Sequence, residues 1–286
     1  MELRLVATGP GAVEIRDFGG DGRPVLFFPG GHSSAATPTG AEIYSELGLR
    51  PLVFSRPGYG RTSVGDLRAA EFVQPVLDVV EALGLHDIAA VVGLSFGGLQ
   101  AIELVVAVPE LTPKLVLHSC APSSLPFPDS SVEARGAPLA FNPVTQRLTW
   151  AAVRRLVRSD KGLRSMMGSL STVPVDEWWD DWTEADRDSA RSMFGAMDSG
   201  SGFLLDCAQA TPGRSAYRAA VLRRVSCPSL VTASRRDGGV SFAHSEDFVR
   251  LIPHARLVDT GASSHLAWLG PSRRTLVDAV AEFLAE

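Results

Sequence analysis

Over the first 120 residues, short apolar runs alternate with longer amphipathic stretches, the pattern of a largely parallel sheet wrapped by helices. Met1-Glu2-Leu3-Arg4-Leu5-Val6 alternates polar and apolar positions, as a half-buried strand does, and Val13 to Phe18 alternates like an edge strand. Gly19-Gly20-Asp21-Gly22 supplies the turn that follows. Pro24-Val25-Leu26-Phe27-Phe28 is a continuous apolar run, expected of a strand covered on both faces. Leu52-Val53-Phe54, Ile88 to Val92 and Lys114 to Leu117 read the same way. Between them, apolar residues recur at three- and four-residue spacing from Val76 to Leu83, with Pro75 suited to a first helical position. A second helix is predicted from Gly97 to Val108 and is closed by Pro109.

After Ala121-Pro122 the strand pattern stops for about a hundred residues. Residues 122–222 are rich in helix formers and large apolar side chains, among them Trp150, Met166, Met167, Trp178, Trp179, Trp182, Phe194 and Met197. Strands resume at Pro228 to Thr232 and Ala255 to Val258, each followed by an amphipathic helix near Phe242 to Leu251 and Arg273 to Leu284. The pattern predicts an α/β core built from residues 1–121 and 223–286, with a helical cap, 122–222, inserted between the halves. No internal repeat or low-complexity tract interrupts it.

Composition narrows the function classes. With 286 residues and 45% hydrophobic content, the chain can bury a large core and is not a disordered protein. Its net charge is −5, and Arg154-Arg155, Arg223-Arg224 and Arg235-Arg236 are isolated pairs, so nucleic acid is not an expected partner. Cys120, Cys207 and Cys227 are odd in number, with no C-x-x-C spacing, which argues against a disulfide framework or a zinc site. They read as small apolar residues in a reducing compartment. The N-terminus lacks a signal-peptide pattern, and no apolar run approaches the roughly 20 residues needed to cross a bilayer. We therefore expect a cytoplasmic protein without a membrane partner, acting on a small molecule; a homodimer is left open.

The chemistry enters at Gly93-Leu94-Ser95-Phe96-Gly97, a G-x-S-x-G motif that follows one apolar run and opens a helix. Such a sharp strand-to-helix turn holds the serine in a strained conformation with its hydroxyl exposed, and glycines flank it because side chains would clash across the turn. The N–H of Phe96 then lies at a helix N-terminus, where the dipole favours negative charge. A serine hydroxyl needs a base, and the base needs an orienting carboxylate. His265 follows the last predicted strand in the small-residue loop Gly261-Ala262-Ser263-Ser264-His265, which lets an imidazole reach over the sheet edge. His32 and His118 also follow strands and are its rivals; His86 and His254 precede strands, and His244 is expected on a surface helix. For the acid, Asp237 in Arg235-Arg236-Asp237-Gly238-Gly239 follows a strand and stands between serine and histidine in chain order. Asp259 is the rival, only six residues before His265. A second oxyanion donor is expected from the loop Phe28-Pro29-Gly30-Gly31-His32-Ser33, at Gly31, or at His32 if the loop is registered one residue later.

These four elements, in this order on this strand pattern, resemble the α/β-hydrolase superfamily over nearly the whole chain. Ser55-Arg56-Pro57-Gly58-Tyr59-Gly60-Arg61-Thr62-Ser63 is similar to the family's loop after the fourth strand. The 28-residue spacing from Asp237 to His265 also agrees, as does an insertion where the family carries its cap. Two positions depart from the pattern: Pro29-Gly30 stands where His-Gly is common, and Ser55 where Asp is usual. Serine at position 95 argues against haloalkane dehalogenases and epoxide hydrolases, which use aspartate there.

The resemblance implies an α/β-hydrolase fold and a Ser95–His265–Asp237 triad. Gly31 and Phe96 would form the oxyanion hole, each donor worth roughly 3 kcal/mol of barrier. No metal or organic cofactor is expected. The expected reaction is hydrolysis of a carboxylic ester, lactone or thioester of a small to medium apolar substrate. C–C bond hydrolysis, acyl transfer, aminopeptidase activity and non-catalytic ligand binding on the same fold remain alternatives. Candidate substrate contacts are His32, His118, Trp178 and Trp182, although Trp178, Trp179 and Trp182 include positions at helical spacing and such a stripe more often packs a lid onto the core than contacts ligand, and Asp180, Asp181, Glu184, Asp186 and Asp188 read as a solvated face.

Overall fold

The computed structural model describes residues 2–128, 141 and 144–286. Strands β1 (Glu2–Thr8) and β2 (Gly11–Asp17) form an antiparallel hairpin. β3 (Pro24–Phe28), helix α1 (Glu42–Glu46), β4 (Arg50–Phe54), α2 (Val73–Ala82), β5 (Ala90–Leu94), α3 (Gly98–Ala107) and β6 (Leu115–His118) follow. All described helices between β6 and the next strand belong to one long insertion. They are α4 (Gln146–Leu156), α5 (Asp160–Gly168), α6 (Glu184–Ala196), α7 (Gly202–Ala210) and α8 (Ser215–Leu222). β7 (Ser229–Ala233), α9 (Phe242–Leu251), β8 (Ala255–Asp259) and α10 (Arg273–Ala285) complete the chain. The eight strands make one sheet in the order β1-β2-β4-β3-β5-β6-β7-β8, parallel from β4 onward.

Why the inner strands lack polar positions is visible in their two faces. Val25, Phe27, Ala90, Val92, Leu94, Val116 and Leu230 pack with Ile43 and Tyr44 of α1 and with Leu276, Val280 and Phe283 of α10. Their alternates Leu26, Phe28, Val91, Leu115, Leu117 and Val231 pack with α2, α3 and α9 through Val76, Val79, Ile102, Val105, Phe248 and Leu251. With both faces covered, each inner position is apolar and the period-two signal vanishes. β8, at the edge, stays half-buried and ends on exposed Asp259.

The insertion is not a separate body. Leu163, Met167, Trp178, Trp179, Trp182, Met193 and Phe194 join the same apolar cluster as the first face of the sheet, through Leu266, Trp268 and Leu269. Helix α8 sits instead on the opposite side, where Val221 and Leu222 pack with the α3 and α9 layer. No helix among the described residues is long and apolar enough to cross a membrane.

Candidate active site

Strand register fixes which loops meet. Phe28 pairs with Gly93, Leu94 with His118, and His118 with Thr232, so these strands end at one level. The segments that leave their C-terminal ends begin at Pro29, Ser95, Ser119 and Ser234, and the β8 loop leads to His265. In a parallel sheet this carboxyl edge is where loops from different strands converge.

Ser95 stands at the turn from β5 into a helical stretch continued by α3, with φ of +51°. For a residue with a Cβ this left-handed conformation costs about 1–2 kcal/mol. Space decides the glycines around it. A Cβ on Gly93 would come within 2.6 Å of Gly98 Cα, and one on Gly97 within 2.0 Å of the Phe28 carbonyl oxygen. The bend therefore folds back onto its own strand and onto β3, and only glycine fits. Gly30 lies on the other side: its Cα is so close that a Cβ would sit 3.1 Å from the Ser95 Cβ.

His265 and Asp237 meet at 2.8 Å between Nδ1 and Oδ2. The second carboxylate oxygen, Oδ1, accepts the N–H groups of Gly239 at 2.7 Å and Val240 at 2.9 Å. The Asp237 side chain is 1% exposed, so it is a buried charge held by fixed donors. Burial pulls the imidazole pKa down, but the facing Asp237 charge and its hydrogen bond outweigh this and hold it above 6.5. Asp259, the rival acid, is exposed; its Oδ2 faces Arg235 at 3.5 Å and its Oδ1 accepts the Gly261 N–H.

The other histidines have different surroundings. His118 is buried with both nitrogens engaged, Nε2 with the Tyr44 hydroxyl at 2.8 Å and Nδ1 with Thr232 Oγ1 at 2.7 Å. Desolvation lowers its pKa to about 4. His32 stacks on Phe203 at 4.1 Å and meets the tilted ring of Phe141 at 4.4 Å, with Nδ1 2.8 Å from Ser199 Oγ. Burial, with Arg56 nearby, lowers its pKa to about 3. Neither touches a carboxylate among the described residues. His244 lies on α9 as expected but is fully buried, not on the surface, because the segment after β6 covers it: Ser123 Oγ lies 3.0 Å from its Nδ1.

The loop after β3 is anchored by a residue the sequence reading left without a role. Arg56 is 1% exposed and donates through Nε to the Pro29 carbonyl and through Nη2 to the Gly30 carbonyl, both at 2.9 Å. Its charge is met by Asp206 of α7 at 2.5 and 2.9 Å, and Tyr59 Oη donates to the same carboxylate at 2.6 Å. Ser55 also braces this loop, accepting the Ala35 N–H and donating to Glu14, each at 2.7 Å. Among the described residues the Gly31 N–H has no acceptor. The Phe96 N–H lies in the first turn of the helical stretch, where intrahelical acceptors are absent.

Beside Gly31, the rings of Phe96 and Phe203 meet edge to face at 6.1 Å, and Phe127 meets Phe96 at 5.1 Å. Trp178 and Trp182 are placed otherwise: 3% and 4% exposed, 5.3 Å apart, inside the cluster that joins the insertion to the sheet. A cavity of about 490 Å3 opens at the seam between α1 and α6, lined by Glu42, Glu46, Asp188, Trp268 and Arg273; neither Ser95 nor His265 lines it.

Known proteins share this fold. A relative named an uncharacterized hydrolase, YcgS of Bacillus subtilis (strain 168), is 30% identical over 257 residues, 88% of this chain and 87% of its own. An alpha/beta hydrolase fold protein from Nakamurella multipartita superposes with a TM-score of 0.73 at 23% identity, covering 99% of both chains. A thermophilic esterase from Thermogutta terrifontis gives 0.66 at 20% identity, over 100% of this chain and 98% of its own. The model of the alpha/beta hydrolase family matches residues 25–279, and with the relative above this shows that the chain belongs to that family.

Proposed function

We propose that the protein is a serine hydrolase that cleaves a carboxylic ester, lactone or thioester through Ser95, His265 and Asp237. The observation that carries this reading is the pairing of two features at one sheet edge. One is a serine held at φ +51°, the other a buried carboxylate aimed at an imidazole 2.8 Å away. Backbone strain at the serine is unfavourable to the fold, and a buried carboxylate that fixes an imidazole through Nδ1 is the arrangement a general base needs, so their occurrence together supports a catalytic role.

In this mechanism Asp237 accepts Nδ1–H of His265, which leaves the Nε2 lone pair to take the Ser95 proton. Ser95 Oγ attacks the carbonyl carbon, and the N–H groups of Gly31 and Phe96 hold the oxyanion. The acyl–heteroatom bond then breaks, and the leaving group takes the proton from His265. Water, deprotonated by His265, releases the acid and restores the serine. His32, Phe96 and Phe203 offer an aromatic wall to an apolar acyl or alcohol group. The esterase name of the Thermogutta protein supports the ester class, and the β6–β7 insertion serves as the cap that closes the site.

The test compares wild type with Ser95→Ala, using a fluorophosphonate probe and p-nitrophenyl esters from acetate to decanoate. Labelling and turnover that both vanish in Ser95→Ala are expected, with preferred chain length sizing the apolar wall. Labelling that survives the substitution would remove Ser95 from the mechanism.

A further inference from the structure

From the geometry of one short segment we infer that the cap is part of the catalytic centre as well as its cover: Leu170-Ser171-Thr172 is a strap that positions the acid and the base together. This rests on the assignment of Asp237 and His265 above. The segment follows α5 and runs antiparallel to the acid loop, with Ser171 paired opposite Asp237. A single carbonyl, that of Leu170, accepts the N–H of His265 at 2.9 Å and the N–H of Gly238 at 3.0 Å. The base and the residue beside the acid thus hang from one acceptor supplied by the cap. Thr172 N–H donates to the Arg236 carbonyl at 2.9 Å, on the other side of Asp237. The Ser171 hydroxyl donates to the Ser263 carbonyl at 2.6 Å, two residues before His265.

The two glycines after Asp237 are explained by this contact. A Cβ on Gly238 would lie 2.6 Å from Ser171 N, 2.8 Å from Ser171 C and 2.9 Å from Leu170 C, all backbone atoms of the strap. A Cβ on Gly239 would lie 3.1 Å from Cγ of His265. Gly238 lets the strap approach, and Gly239 lets the imidazole lie against the acid loop. Within the core alone, the acid and base loops are tied through Ser234, whose hydroxyl donates to the Ala262 carbonyl at 2.5 Å, and through Thr260 N–H to the Ala233 carbonyl at 2.8 Å. Both ties lie at the strand ends, several residues short of the reacting groups. The strap supplies the ties at His265 itself and on either side of Asp237.

Leu170, Ser171 and Gly238 are positioning residues, acting through His265 and Asp237. Since a displacement of about 1 Å at a catalytic group costs on the order of a hundredfold, loosening the strap should reduce turnover without a change in KM. Ser171→Ala and Gly238→Ala test this with three readouts. We expect kcat to fall about tenfold in Ser171→Ala and about a hundredfold in Gly238→Ala, with labelling by a small fluorophosphonate slowed in parallel. We expect the downfield proton resonance of His265 Nδ1–H, present in wild type, to broaden or vanish in both. We also expect the acid limb of the kcat/KM–pH profile to move down, as the Asp237 contact loosens. Labelling rate, pH limb and resonance all equal to wild type in a folded Ser171→Ala protein would overturn the strap, whether or not Gly238→Ala folds. A wild type that fails to label, but whose resonance is still lost in Ser171→Ala, would keep the strap and remove the Ser95 reading.

Discussion

At the scale of single residues, His265 carries the sharpest consequence. Its imidazolium is favoured by Asp237 more than burial disfavours it, so its pKa lies above 6.5 in the folded chain. In the proposed role of general base it must be neutral, so activity should rise with pH through its raised pKa. The acid limb of kcat/KM should have its midpoint above 6.5, and Asp237→Asn should move it lower, because burial then acts alone. A midpoint that does not respond to the substitution would assign the limb to another group. Stability runs the opposite way: the contribution of the charged ring is complete below the unfolded pKa and is lost as pH rises through the folded one. His32 and His118, at about 3 and 4, stay neutral through this range and add nothing to the limb.

Between elements, the buried Arg56–Asp206 pair joins the β4 loop to α7, and the same guanidinium carries the β3 loop on two carbonyls. Asp206→Leu strands a buried charge and should cost roughly 3–5 kcal/mol in urea unfolding. Adding Arg56→Met removes that charge and should recover part of the loss, but it leaves the Pro29 and Gly30 carbonyls without their donor. The double variant should therefore be more stable than Asp206→Leu yet remain well below wild type in kcat. Full activity in it would show that Arg56 does not hold the β3 loop in the position the proposed oxyanion hole needs. Element boundaries illustrate what a one-dimensional pattern can carry. The strand Pro24–Phe28 and the helix Phe242–Leu251 lie where the apolar spacing put them, because that spacing records which of their faces are buried whatever distant elements cover them. Asp186, which the acidic run made look like a solvated face, instead closes a capping box with Thr183 at the start of α6 and accepts the Gly270 N–H at 3.0 Å. The T-x-x-D spacing was the available sign of the cap; the contact with Gly270 had none, since 84 residues separate the partners.

For the whole molecule, one apolar cluster spans the first sheet face and the insertion, so neither part keeps its core without the other. Thermal unfolding should accordingly be a single transition. Trp150, Trp178, Trp179 and Trp182 lie in the insertion and Trp268 at its seam, so tryptophan fluorescence reports the insertion while far-ultraviolet circular dichroism reports the whole. Coincident midpoints are expected, and a separate early fluorescence transition would show that the insertion folds on its own.

By itself the sequence determined what depends on neighbours along the chain. Strand and helix order follows from apolar period, the bend at Ser95 from its flanking glycines, and the candidate nucleophile, base and acid from their places after strands. The His265–Asp237 contact was legible because parallel strands deliver their C-terminal loops to one edge, which makes chain order a guide to space. Tertiary structure alone decided the rest. That Arg56 serves Pro29, Gly30 and Asp206, that Leu170 holds both His265 and Gly238, and that Trp178 and Trp182 pack in a seam are contacts across 26 to 150 residues. Hydrogen bonds to backbone carbonyls impose no residue type on the acceptor, so they leave no trace in composition or period. They become visible only when the chain has folded and each buried donor has found its partner.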